Sequence, residues 1–238
     1  DILKTAVSFG PFGVLDCALG MVRWFQVWLW PICGQAAILL TGYNHWGNFT
    51  QNPSGEVAQA LNGTVVEDLL VHSIRINVSE EGVLFAESLV QSGASDGSPW
   101  DAVVHLGFED EAKGLKLETM AFNLRASSTH PVVPEGPHLL PTTGDLGAVA
   151  LNAHNPHELW SRDAGSFFCN EIYYRSLFYI RQQKRKRCRG ALVPCLFIHV
   201  PPLHLMPLPE SSLFVKTLLG DLIRASGCPT RKWWHVYG

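Results

Sequence analysis

Three residues whose types could together perform thiol hydrolysis stand at predicted strand ends or strand-to-helix turns, where an open α/β sheet places its site: Glu118, Cys169 and His199. A thiolate is the nucleophile of cysteine chemistry. A thiol at a helix N-terminus beside an imidazole ionises more readily, because the helix dipole and the imidazolium charge both favour the anion. His199 would serve as general base and then general acid, with Glu118 accepting from its other ring nitrogen to hold its orientation. Each residue also has an ordinary structural reading: Cys169 as a core thiol, His199 as a strand-end histidine bonded to backbone, Glu118 as a surface carboxylate. Spacing alone leaves both readings open.

The elements that must position these side chains read as alternating strands and helices. Ala37-Ile38-Leu39-Leu40 before Thr41-Gly42 predicts a buried strand feeding a loop. Asn52-Pro53-Ser54 predicts a helix start with Ser54 as N-cap and Val57, Ala58, Ala60 and Leu61 on the buried face. The alternation over residues 72–78 predicts a strand, and Ser79-Glu80-Glu81 opens a helix that runs to Val90. Residues 100–106 form a third short strand stopping at Gly107, and residues 115–124 a further strand or hairpin. The Ser-, Thr-, Pro- and Gly-rich stretch 126–147 reads as a long irregular loop of the lid or binding kind.

Beyond it, Glu158-Leu159-Trp160-Ser161 is a brief strand, and the helical spacing of Ile172, Tyr173, Leu177, Phe178 and Ile180 predicts a helix that begins at Cys169. The apolar run 191–198 carries His199 to a strand's C-terminal edge, and Ser211 or Ser212 caps a last amphipathic helix. The sum is a single three-layer α/β/α domain over residues 36–227, with an open, mostly parallel twisted sheet. It is flanked by an atypical apolar extension, 1–35, and a tail, 228–238.

Composition narrows the function classes. The chain has 238 residues, 47% hydrophobic and 16% charged, which excludes disorder, collagen and coiled coil. A net charge of −3 provides no overall basic field for a nucleic acid, and the run Lys184-Arg185-Lys186-Arg187 reads as a solvated helix end. The six cysteines show neither a CxxC pair nor zinc-like spacing, so a reducing compartment, the cytoplasm, is expected. His154 and His157 read as surface loop residues, and the three Asn-X-Ser/Thr patterns at Asn48, Asn62 and Asn77 as chance. There is no P-loop and no GxGxxG after a strand. The tryptophan-rich opening, interrupted by Asp16 and Arg23 and closed by Pro31, is a marginal membrane span and reads as a truncated start or an extension. A membrane-associated protein is therefore the lesser reading.

The segment Asp163-Ala164-Gly165-Ser166-Phe167-Phe168-Cys169-Asn170-Glu171-Ile172-Tyr173-Tyr174 resembles DAGxYLCNxxxY, the nucleophile motif of pyroglutamyl-peptidase I, a cysteine omega-peptidase family. Phe197-Ile198-His199-Val200-Pro201 resembles that family's histidine motif, and Leu117-Glu118-Thr119-Met120-Ala121-Phe122-Asn123 the segment whose Glu completes its triad. Thr41-Gly42-Tyr43-Asn44-His45-Trp46-Gly47 resembles its TGFxPFG loop, with Asn52-Pro53-Ser54 following at the family's spacing. Ser8-Phe9-Gly10-Pro11-Phe12-Gly13 is closer in letters, but no Asn-Pro-Ser follows it at that spacing.

The resemblance covers about residues 36–226. It implies catalysis by Glu118, Cys169 and His199 and substrate binding by Tyr43, Trp46 and Phe108, with Tyr43 and Trp46 replacing two phenylalanines that flank a flat lactam ring. No cofactor and no metal are implied, and the partner is a peptide with an N-terminal pyroglutamate. The sequence departs from the family at His45 and Asn48, at Thr119 in place of an Arg, and over Gly107-Phe108-Glu109-Asp110-Glu111-Ala112, where the family has Gly-Gln-Ala-Gly-Gly-Arg. A binding homologue of the same fold that has lost catalysis is the alternative these departures raise.

Overall fold

Residues 37–47, 51–95, 97–125, 130–147, 158–184 and 191–226 are described by the computed structural model. Nine strands and four helices alternate through them: β1 (Ala37–Tyr43), α1 (Pro53–Leu61), β2 (Val65–Val66), β3 (Leu69–Ile76), α2 (Glu80–Ser92), β4 (Ala102–Phe108), β5 (Leu115–Glu118), β6 (Met120–Phe122), β7 (Leu139–Pro141), β8 (Glu158–Ser161), α3 (Phe168–Gln182), β9 (Cys195–Val200) and α4 (Leu208–Ala225). Seven strands form one sheet in the order β2-β3-β1-β4-β9-β5-β8, and β6 pairs with β7 in a separate ribbon.

The four central strands, β3, β1, β4 and β9, are mutually parallel. Antiparallel pairings join β2 to β3 and β5 to β9, while β8 runs parallel to β5. The expected mostly parallel α/β sheet is therefore borne out.

The central strands read as continuous apolar runs because both of their faces are covered. Ile38 and Leu40 pack with Val57 and Leu61 of α1 and Val215, Leu219 and Ile223 of α4. Ala37 and Leu39, on the opposite face, pack with Val83 and Ala86 of α2 and Ile172, Tyr173 and Leu177 of α3. Burying each large aliphatic side chain contributes about 1.5–3 kcal/mol. The chain leaves β1 in one direction to build β3 and in the other to build β4, so a crevice opens beyond the C-terminal ends of β1 and β4, at Tyr43 and Phe108.

Several boundaries differ from the sequence expectations for identifiable reasons. Asn52, not Ser54, caps α1: its Oδ1 accepts from Ser54 N at 3.1 Å and from Ser54 Oγ at 2.8 Å, and Pro53 occupies the first helical position. Strand β4 runs through Gly107 to Phe108. Residues 115–124 hold two strands in different sheets rather than one hairpin, and the stretch 126–147 includes β7. Helix α4 starts at Leu208, so Ser211 lies inside it, with its hydroxyl donating to Met206 O at 3.0 Å. The segment 1–35, the pair His154 and His157, Arg185 to Arg187 of the basic run, Asn48 and the tail 228–238 lie outside the described residues. No described helix is long and apolar enough to cross a membrane.

One buried polar chain ties the layers together. His105 of β4 bridges Thr41 Oγ1 of β1 (Nδ1, 2.8 Å) and Ser176 Oγ of α3 (Nε2, 2.9 Å). Burial pushes its pKa down to about 3, so the ring is neutral and uses one nitrogen as donor and the other as acceptor. An unfolded chain binds a proton at this ring near pH 6.5 while the folded chain refuses it, so stability falls as pH drops below about 6.5 and goes on falling towards about 3. Urea denaturation at successive pH values is expected to show a loss of about 1.4 kcal/mol per unit from this group. His105→Gln is expected to flatten that slope.

Candidate active site

The turn ahead of α3 delivers the thiol. Asp163 Oδ1 accepts from Gly165 N at 2.9 Å, and Gly165 takes φ +79°, a left-handed conformation that glycine adopts at little cost. Helix α3 then opens at Phe168 with no side-chain cap, and Cys169 is its second residue. Asn170 locks this first turn in place. Its amide donates to Phe122 O at 2.8 Å and Leu124 O at 3.0 Å, and its Oδ1 accepts from Phe122 N at 2.8 Å. Cys169 is partly exposed, whereas Cys195, the other described cysteine, is fully buried, and burial pushes its thiol far up. The accessible sulfur at a helix N-terminus is Cys169.

His199 is the penultimate residue of β9, and Glu118 ends β5 on the neighbouring antiparallel strand. Glu118 lies directly opposite Phe197 in the register, so its side chain is on the same face as Phe197 and His199 and meets the imidazole along the diagonal. Oε1 of Glu118 accepts from Nδ1 of His199 at 2.8 Å, with Glu118 fully buried and His199 nearly so. The hydroxyl of Tyr173 donates to the Glu118 carbonyl at 2.9 Å and fixes the backbone behind the carboxylate. With Nδ1 engaged, Nε2 is the ring nitrogen left for Cys169, which lines the same cavity as His199. Burial opposes the imidazolium. Its hydrogen bonds to Cys169 and Glu118, and the charges on both, outweigh that penalty and raise the His199 pKa to about 10.

Space for the imidazole comes from the strand on its other side. Gly107 of β4 pairs with His199, and a Cβ there would lie 2.6 Å from Cζ of Phe197 and 3.0 Å from Cδ2 of His199.

A cavity of about 450 Å³ opens over these groups. Tyr43, Trp46 and Phe108, the three expected binding residues, line it together with Cys169 and His199. Tyr43 is buried, while Trp46 and Phe167 are largely exposed at its edge. Glu118 stands behind His199 and is not among the lining residues. The size and aromatic lining suit a small, flat organic group. The structure thus brings all six expected residues to one place.

It also adds some that the sequence reading missed. Phe167 and Phe168 line the cavity because they directly precede the thiol, and Val78 because it follows the C-terminal end of β3, at the same end of the parallel sheet. Glu109 lines it as well, its Oε2 lying 3.9 Å from His199 Nδ1 while its other oxygen pairs with Lys116. Among the described residues, no cluster of three or more His, Cys, Asp or Glu is arranged to hold a metal.

Known proteins resemble this chain in sequence and in fold. No family model matches the chain. The pyrrolidone-carboxylate peptidase of Deinococcus radiodurans is 30% identical over 178 residues, which span 69% of this chain and 77% of that protein. The chain belongs to the pyrrolidone-carboxylate peptidase family. The Bacillus licheniformis pyrrolidone-carboxylate peptidase is 25% identical over 199 residues, covering 78% of this chain and 88% of its own. In fold, the chain is similar to the pyrrolidone carboxyl peptidase of Thermococcus litoralis, with a TM-score of 0.68 at 16% identity, covering 79% of this chain and 94% of that one. The Fervidobacterium islandicum enzyme gives 0.64 at 24%, covering 79% and 99%. Family membership at this identity describes a divergent member, in keeping with the altered 107–112 loop.

Gly107→Ala is expected to displace the His199 and Phe197 rings, at a cost of about 1–3 kcal/mol in stability. Alkylation of Cys169 at neutral pH, followed by mass spectrometry of its peptide, is expected to slow several-fold in this variant. An unchanged rate would show that the imidazole does not depend on that space.

Proposed function

We propose that this peptidase hydrolyses the bond following an N-terminal pyroglutamyl residue, using Cys169 as nucleophile, His199 as proton carrier and Glu118 as the residue that orients the imidazole. Pyrrolidone carboxylate, the acid in the relatives' names, is pyroglutamate. The observation that carries the reading is the buried hydrogen bond between Glu118 and His199 at an aromatic-lined cavity that Cys169, at the head of α3, also lines.

Attack needs the sulfur as thiolate, its proton having passed to His199. The sulfur lone pair attacks the pyroglutamyl carbonyl carbon, and the charge that develops on oxygen is met by the uncapped leading amides of α3. The carbonyl re-forms and the C–N bond breaks as His199 gives its proton to the departing amine. Neutral His199 then takes a proton from water, hydroxide adds to the thioester, and collapse releases pyroglutamate and the thiolate beside the regenerated imidazolium. Tyr43, Trp46 and Phe108 enclose the lactam ring. A reducing compartment suits such a sulfur, and we assign the enzyme to the cytoplasm.

A fluorogenic pyroglutamyl amide is expected to be turned over by the parent and, at least about a hundredfold more slowly, by Cys169→Ser. Equal rates would remove the assigned nucleophile. Absence of turnover in the folded parent would leave a binding homologue of this fold.

The pH profile gives a separate check. His199 carries its proton below about pH 10, so the rate is expected to decline as pH rises towards that value. Glu118→Gln removes a charge that favours the imidazolium. It is expected to start that decline at lower pH, and a profile that does not move would contradict the role given to Glu118.

A further inference from the structure

The end of β1 holds a group that the mechanism above does not use. Tyr43 is 3% exposed, and its hydroxyl is buried with no hydrogen-bond partner. The residue lines the cavity that holds Cys169, and it belongs to the same packed cluster against which Cys169 rests. Its position is tightly held: the Tyr43 amide donates to Ser54 Oγ at 3.1 Å, and the next amide, of Asn44, donates to Ile76 O at 2.8 Å. A buried hydroxyl without a partner is destabilising, and a phenylalanine, the residue at this place in the TGFxPFG motif, would fill the same space without that cost.

The neighbours suggest what offsets the cost. Burial first, then the negative charges of Cys169 and Glu171, hold the phenol well above its usual pKa, so it keeps its proton and can donate at working pH. Glu171 is already engaged: Arg125 pairs with its Oε1 at 2.8 Å and Arg175 at 2.9 Å. Tyr43, Cys169 and His199 line the same cavity. We propose that the Tyr43 hydroxyl is, in addition to His199, a hydrogen-bond donor to the Cys169 thiolate, a catalytic group at the same sulfur. It deepens the peptidase reading by adding a group to the same nucleophile, and its test does not require turnover.

The experiment is the pH dependence of Cys169 alkylation by iodoacetamide in the full chain, parent against Tyr43→Phe, with the label localised by mass spectrometry of the Cys169 peptide. The proposal predicts that the profile of the variant moves to higher pH. Alkylation below the midpoint then falls roughly tenfold while the alkaline plateau is unchanged, since the loss of one hydrogen bond to a charged group is of that order. Superimposable profiles from two folded proteins would overturn it. So would an unchanged profile accompanied by a raised KM for a pyroglutamyl amide, which would assign the hydroxyl to the substrate ring. If the profile moves although neither protein turns over the amide, the proposal stands and the peptidase reading falls. A thermal melt checks that the variant is folded.

Discussion

Much of the site depends on one buried charge pair, the carboxylate of Glu118 against the imidazole of His199. A carboxylate with no exposed surface and one oxygen without a partner is costly unless a cation lies against its other oxygen. The imidazolium satisfies that need and is itself retained in a buried position only because Glu118 and Cys169 flank it. The imidazolium is therefore held in its charged form by its neighbours. A basic imidazole at the cavity that the thiol also lines makes Cys169 a candidate nucleophile.

The sheet makes the pair possible. An all-parallel continuation beyond β9 would have required a crossover helix before the next strand. Here β5 returns antiparallel beside β9, which puts Glu118 opposite Phe197 and on the face that α3 covers. Gly107 on the other flank leaves room for the ring, and Asn170 and Tyr173, both on α3, tie the thiol's helix to β6 and to the Glu118 backbone. The elements around the three residues thus fix distances and orientations rather than supply chemistry.

Sequence patterns carried much of this, unevenly. The continuous apolar runs of β1, β4 and β9 announce buried parallel strands, so the class of sheet and the place of His199 near a strand end were legible. Cys169 was legible because helical spacing begins at it. Glu118 was legible as a carboxylate by a predicted strand, but its pairing with His199 rested on resemblance to a known motif: strand direction leaves no local trace, and neither periodicity nor length distinguishes an antiparallel β5 from a parallel one. Asn52 and Ser54 are both good caps, and only the position of Pro53 in the first turn decides between them. Glu109 could not be placed from the sequence, because its approach to His199 depends on how far β4 continues past Gly107.

The proposed mechanism requires the sulfur of Cys169 to become covalently attached to the acyl part of the substrate. It is tested most directly by mixing the enzyme with a pyroglutamyl ester, quenching in acid within the first turnover, and measuring the mass of each cysteine-containing peptide. One pyroglutamyl acyl group is expected on the peptide carrying Cys169 and none on the peptide carrying Cys195. Product release with Cys169 unmodified throughout, or an acyl group on any other residue, would contradict it.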